Sequence, residues 1–173
     1  MSRIWNKLDT AWPVQAGGNI GLTQLRTEMA GFIERNGVKP IVFSHYGIAV
    51  DSIELHLKWL ADHIENKAGL HTEKVKVEAY NVYVTRIDLD GVELELIEPY
   101  GGSFFKTHHE KFGNSVHHLS FRVADATDCL EKFSEGGVEL IDKMPRRGAH
   151  GKVAFMKPFP PGSLYLEICQ QEQ

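Results

Sequence analysis

Apolar and polar positions along this chain fall into the same order twice. Ile41 to Val50 is a run rich in branched residues, which predicts a strand. Ile53, Leu57, Leu60 and Ile64 then recur at helical spacing, with Asp51 or Ser52 placed to cap the helix. Lys74 to Tyr80 alternates as a strand, Asn81 to Leu89 extends or follows it, and Asp90-Gly91 signals a tight turn into a return strand at Val92 to Ile97. Pro99, Gly101 and Gly102 then interrupt the pattern. After a polar connector at 103–115 containing His108 and His109, the order repeats. It runs through a strand at His117 to Val123, a helix from Asp125 to Glu135 stopped by Gly136-Gly137, and strands at Val138 to Ile141, Lys152 to Met156 and Leu164 to Cys169. Two βαβββ units account for this pattern.

The residues before the first unit have no counterpart in the second. Residues 1–22 read as a loose arm broken by Pro13, Gly17, Gly18 and Gly21. Thr23 is placed to cap a helix to about Asn36, with Leu25, Met29, Phe32 and Ile33 on one face and Gly37 ending it. That helix is expected to pack on the core or on a dimer partner. The organisation expected is an arm and helix at 1–38, a first module at 39–102, and a connector with a second module at 103–173, with 39–173 one structural domain.

The repeat also carries chemistry. His45 precedes Glu95 by 50 residues and His118 precedes Glu167 by 49, so an imidazole and a carboxylate stand at equivalent places in both units. Side chains alternate across a strand, and a carboxylate turned into a sheet among Leu94, Leu96, Leu166 and Ile168 is costly unless exposed or paired. Each residue alone reads more simply as a satisfied core or surface group. The matched spacing makes His45, Glu95, His118 and Glu167 candidate ligands for one divalent metal ion: Zn, Co, Ni, Mn or Fe. His117 points to the opposite face from His118 and is the rival ligand, since a one-residue slip in register exchanges the two. His56, His63 and His71 belong to or follow an amphipathic helix and read as solvated.

Composition narrows the classes. The chain has 173 residues, 42% hydrophobic and 24% charged, with a net charge of −4. Scattered basic residues give no nucleic-acid footprint. No apolar run is long enough to span a membrane, and the N-terminus lacks a signal-peptide core. Two cysteines, Cys129 and Cys169, suggest small core residues and a reduced cytoplasmic setting rather than a disulfide framework.

The stretches His-Tyr-Gly-Ile-Ala-Val at 45–50, Val-Glu-Leu-Glu-Leu-Ile-Glu-Pro-Tyr-Gly at 92–101 and Val-His-His-Leu-Ser-Phe-Arg-Val at 116–123 carry a family resemblance, as do Gly-Val-Glu-Leu-Ile-Asp at 137–142 and Pro-Arg-Arg-Gly-Ala-His-Gly-Lys at 145–152. Over about 43–170 the chain resembles the vicinal oxygen chelate superfamily and, within it, the methylmalonyl-CoA epimerases. The resemblance implies an α+β fold of two βαβββ modules forming a cupped mixed sheet around the metal, commonly in a homodimer. It implies the same four ligands and a reaction that removes and returns the proton alpha to a thioester carbonyl. Glu167 then matches a ligand proposed to take part in proton transfer. Glu78 is a second acid/base candidate on an ungapped match, a shorter turn placing Val84 there. Arg146, Arg147 and Lys152 are candidates to hold coenzyme A phosphates. The chain departs from the family in its first helix, at Lys58-Trp59-Leu60 and Lys67-Ala68-Gly69, and at Lys157-Pro158-Phe159 before the last strand.

The expected substrate is a small thioester or thiol adduct. An acyl-CoA epimerase is the first reading, a glyoxalase I-like enzyme acting on a glutathione hemithioacetal the second, and a non-catalytic small-molecule binder a third from another class. An oxygen-dependent iron enzyme fits less well, because two carboxylates and two histidines exceed the two-His-one-carboxylate set.

Overall fold

A computed structural model of the chain describes residues 21–39, 41–65, 69–70, 73–89, 91–157 and 164–171. Residues 1–20 of the arm expected at 1–22, His71, Lys67-Ala68, Pro158-Phe159 and the Asp90 half of the expected turn lie outside the described residues. Helix α1 (Leu22–Arg35) buries Leu22, Leu25, Met29 and Ile33, the face that its periodicity sets out. Met29 and Ile33 are 2% and 0% exposed, and each such burial contributes roughly 1.5–3 kcal/mol. Thr23 is not the cap. Gly21 holds the capping position in extended backbone with no side-chain bond, and Thr23 lies inside the first turn. Gly37 follows the helix at φ +81°, a conformation that favours glycine.

Strand β1 (Ile41–Ala49) leads into helix α2 (Ile53–His63), where Ser52 accepts a bond from the Leu55 amide. The stretch expected as one strand at 74–80 divides. Strand β2 covers Val75–Val77, and a single 3-10 turn covers Glu78–Tyr80, ending on Asn81 in the left-handed region. Strands β3 (Val82–Leu89) and β4 (Val92–Pro99) complete the first unit.

The polar connector is also different from the expectation. Residues 104–112 form helix α3 (Phe104–Phe112), capped by Ser103, with Phe105 and His108 buried. Then come strand β5 (Ser115–Val123) and helix α4 (Ala126–Glu135), capped by Asp125 through bonds from the Thr127 and Asp128 amides. The strand expected at 138–141 is reduced to one bridge between Leu140 and Met156. Its place is taken by strand β6 (Arg146–Arg147), followed by β7 (Gly151–Met156) and β8 (Tyr165–Gln171).

The eight strands form one mixed sheet in the order β2-β3-β4-β1-β5-β8-β7-β6. Each half has the same internal arrangement, with its first and last strands parallel neighbours, and β1 meets β5 antiparallel at the centre. The fold is α+β, a cupped sheet packed against helices. One apolar cluster lies between the sheet and α1 and α4, including Phe121, Phe133 and Leu166. A second, around Tyr80, Phe105 and Phe155, lines the inside of the cup beside Val77, Val82 and Val84.

Candidate metal centre

The four central strands carry the candidate ligands, and strand register brings them together. On β1, Gly47 lies between Glu95 of β4 and His118 of β5. On β5, Ser120 lies between His45 of β1 and Glu167 of β8. Residues two apart share a face, so both rows point into the cup. Small residues occupy the middle of each row. A Cβ on Gly47 would run into the His118 ring, so the imidazole lies directly over that backbone.

The nitrogens and oxygens converge. The Nε2 atoms of His45 and His118 are 3.3 Å apart. His45 Nε2 is 3.8 Å from Glu95 Oε2 and 3.6 Å from Glu167 Oε1, and His118 Nε2 is 3.5 Å from Glu167 Oε2. One ligand atom from each of the four lies within 4.8 Å of all the others. Donors about 2.1 Å from a shared ion sit roughly 3–3.5 Å from their neighbours, so small side-chain adjustments seat one ion.

The electrostatics fit the same group. Both histidines are fully buried, and burial holds their pKa values below the ordinary imidazole range; the neighbouring His118 adds to this for His45 and the Arg86 charge for His118. Burial pushes the Glu95 and Glu167 carboxyls up, with the Glu95 charge adding to the rise at Glu167. Two buried carboxylates beside two imidazoles that resist protonation lack positive charge, which a divalent ion supplies. Arg86 offsets part of it, its Nε 3.3 Å from Glu95 Oε1 and its Nη1 2.7 Å from Glu93 Oε1.

Each of the four also has a polar neighbour behind it. The Nδ1 atoms of His45 and His118 lie 3.1 Å from Ser44 Oγ and His117 Nδ1. Ser120 Oγ donates to Glu167 Oε1 at 2.6 Å. Val77, Val82, Val84, Phe105 and Phe155 give the cavity apolar walls, while Arg86, Arg122 and His150 give it polar ones.

Other candidates stand apart from this group. Glu78 opens the 3-10 turn with its side chain 79% exposed and paired to Lys76 at 3.1 Å. Arg146 is bound to Asp142 at 2.8 Å and donates to the Ala79 carbonyl. Arg147 and Lys152 are exposed register partners across β6 and β7, flanking the Gly148-Ala149-His150 lip of the cavity. His117 is fully buried against aromatic rings and outside the ligand group. Among the histidines read as solvated, His63 is exposed and stacks on Trp59, whereas His56 is half-buried with Nδ1 2.8 Å from the Ser52 carbonyl oxygen. Sequence reasoning missed Arg86, His150 and the outer partners Ser44 and Ser120. Alternation offered a signal for Arg86, since it shares a face with Val82 and Val84 in an otherwise apolar stretch.

Comparison with known proteins identifies the family. Residues 44–155 match the family model of the Glyoxalase/Bleomycin resistance protein/Dioxygenase superfamily. The chain is 35% identical over 128 residues to the uncharacterized protein YqjC of Bacillus subtilis, covering 73% of this chain and 89% of that one. It is 27% identical over 103 residues to the mitochondrial methylmalonyl-CoA epimerase of Dictyostelium discoideum, covering 56% of this chain and 60% of the epimerase. In fold it is similar to a Streptomyces coelicolor methylmalonyl-CoA epimerase variant in complex with 2-nitronate-propionyl-CoA, at TM-score 0.66 and 22% identity over 76% of this chain and 97% of the other. The chain belongs to the Glyoxalase/Bleomycin resistance protein/Dioxygenase superfamily.

Proposed function

We propose that this protein is a metal-dependent epimerase that moves the proton alpha to the carbonyl of a 2-substituted acyl-CoA, of the methylmalonyl-CoA kind. The observation that carries the reading is the convergence of His45, Glu95, His118 and Glu167, with the two carboxylates lining an apolar-walled cavity. Similarity to the Dictyostelium discoideum epimerase, and a shared fold with an epimerase in complex with an acyl-CoA compound, support the substrate class.

A divalent ion held by these four residues supplies positive charge for a carbonyl oxygen whose electron density rises as the alpha proton leaves. The rest belongs to the chain. The valine and phenylalanine walls exclude water from the acyl group and leave room for its short hydrocarbon. Glu167, buried in the cup, takes the alpha proton, and inversion requires the planar enolate to be reprotonated on its opposite face. Ser120 holds its Oε1 in place. Arg86 opposes the burial that favours protonation of Glu95. Arg147 and Lys152, exposed beside the lip, meet the coenzyme A phosphates, while Arg146 is largely committed to Asp142.

The test is deuterium wash-in. Protein loaded with a divalent metal is expected to introduce solvent deuterium at the alpha carbon of methylmalonyl-CoA. Turnover of methylglyoxal with glutathione, without exchange on any acyl-CoA in a panel, would contradict the proposal.

A further inference from the structure

Strand β5 is irregular beside the candidate ligand His118, and β1 is irregular beside His45. Register between the two strands jumps from Phe43↔Phe121 to His45↔Ser120, leaving Ser44 extra on β1. It jumps again from Gly47↔His118 to Ile48↔Val116, leaving His117 extra on β5. Each extra residue immediately precedes a candidate ligand histidine, and each has a side-chain polar atom 3.1 Å from that histidine's Nδ1. Bulges of this kind re-aim side chains at functional sites.

His117 is the more telling of the two. Its ring is sandwiched between Phe105, at 4.2 Å and 20°, and Tyr165, at 4.5 Å and 13°. Phe104 and His108 close in at 5.4 and 4.7 Å. A phenyl ring suits that slot as well as an imidazole and hides no polar atom. The imidazole there is fully buried, and its Nε2 has no hydrogen-bond partner among the described residues. Its side-chain hydrogen bond is the one between its Nδ1 and His118 Nδ1. Two ring nitrogens can share a hydrogen bond only if one carries the proton and the other does not. His118 turns its Nε2 to the ligand group, so its Nδ1 carries the hydrogen, the Nδ1 of His117 accepts it, and the remaining proton of His117 sits on the unpartnered Nε2.

We infer that His117 is a positioning residue: as hydrogen-bond acceptor for His118 Nδ1–H, it fixes the ring orientation and tautomer that present His118 Nε2 to a metal, and Ser44 does the same for His45. Ligand histidines are held by an outer partner in this way, usually a carboxylate, a carbonyl or water. Here a second imidazole, displaced by a bulge, takes that place. The inference rests on the reading of the four residues as metal ligands.

The experiment is zinc titration of the metal-free protein against a chromophoric chelator, for the unaltered chain and for His117→Phe, His117→Asn and Ser44→Ala. His117→Phe keeps the ring stack and removes the acceptor, and is expected to weaken zinc binding about 10- to 100-fold. His117→Asn, which keeps an acceptor close to the place of Nδ1, is expected to stay within about threefold of the unaltered chain. Nitrogen-15 NMR of the unaltered zinc-loaded protein is expected to show His117 protonated at Nε2 and bare at Nδ1, a readout that does not depend on how the variants fold. Zinc affinity unchanged in a folded His117→Phe variant, or a proton on His117 Nδ1, would overturn the inference and leave the metal site standing. Failure of the unaltered chain to bind zinc would overturn the four-ligand reading and this inference with it.

Discussion

Glu167 has two demands on one carboxylate. It belongs to the candidate ligand group, and burial together with the Glu95 charge favours its protonated form. An ion competes with that proton, and a base used in proton transfer also needs a fixed position, which Ser120 gives Glu167 Oε1 at 2.6 Å. Glu167→Gln keeps an oxygen at the site and removes the base. Deuterium exchange on methylmalonyl-CoA is expected to fall about 10²- to 10⁴-fold, and full exchange in the variant would remove Glu167 from that role. Glu78 behaves differently. Exposed and paired with Lys76, it is expected to tolerate Glu78→Gln with kcat/KM changed by less than about twofold. Gly47 is constrained by a ring instead of by its backbone angles. In Gly47→Ala the new methyl group displaces the His118 imidazole, so zinc affinity in a chelator competition should drop while the helices, read by circular dichroism, remain.

At the scale of elements, the two halves are joined around Asp142 as well as at the β1–β5 seam. Asp142, 1% exposed after α4, accepts from Tyr80 Oη at 2.8 Å and from the Phe155 amide at 2.9 Å. Arg146 closes the group over the Tyr80 ring. Asp142→Ala leaves buried donors unpaired and is expected to cost about 1–3 kcal/mol in urea unfolding, with Tyr80→Phe costing less. None of this network stood out in the sequence, because Tyr80 and Asp142 lie 62 positions apart in different units. What periodicity could reveal was the repeated order of strands and helices, since the spacing of His45, Glu95, His118 and Glu167 recurs with it. Helix α3 was hidden for a physical reason. Its inward face is built from Phe105 and His108, and a buried histidine reads as polar in any hydropathy pattern. The bulges at Ser44 and His117 were equally illegible, because a one-residue insertion leaves composition and alternation almost unchanged while moving a side chain. The single bridge at Leu140 shows the converse: the residues at 138–141 matched a strand, yet they touch β7 through one bridge and a few backbone bonds before the chain turns at Asp142.

For the whole molecule, each half gives one imidazole and one carboxylate, so an ion at the centre would link the two halves of the sheet. Binding would then add directly to stability. Its pH dependence follows from the direction of the shifts. Burial raises the folded pKa values of Glu95 and Glu167, so the stability they give the metal-free fold is present at low pH and is lost as pH rises through those values. His45 and His118 are shifted down, so their contribution is lost as pH falls below the ordinary imidazole range. An ion competes with protons on the carboxyls and replaces the missing positive charge. The rise in Tm on adding zinc is therefore expected to be larger at about pH 8 than at about pH 6. No described helix is long and apolar enough to cross a membrane. The most direct test is anomalous diffraction from a crystal of the zinc-loaded protein. The account predicts one strong peak, bonded at about 2.0–2.2 Å to Nε2 of His45 and His118 and to a carboxylate oxygen of Glu95 and of Glu167. A peak bonded elsewhere, or none within reach of these four side chains, would contradict it.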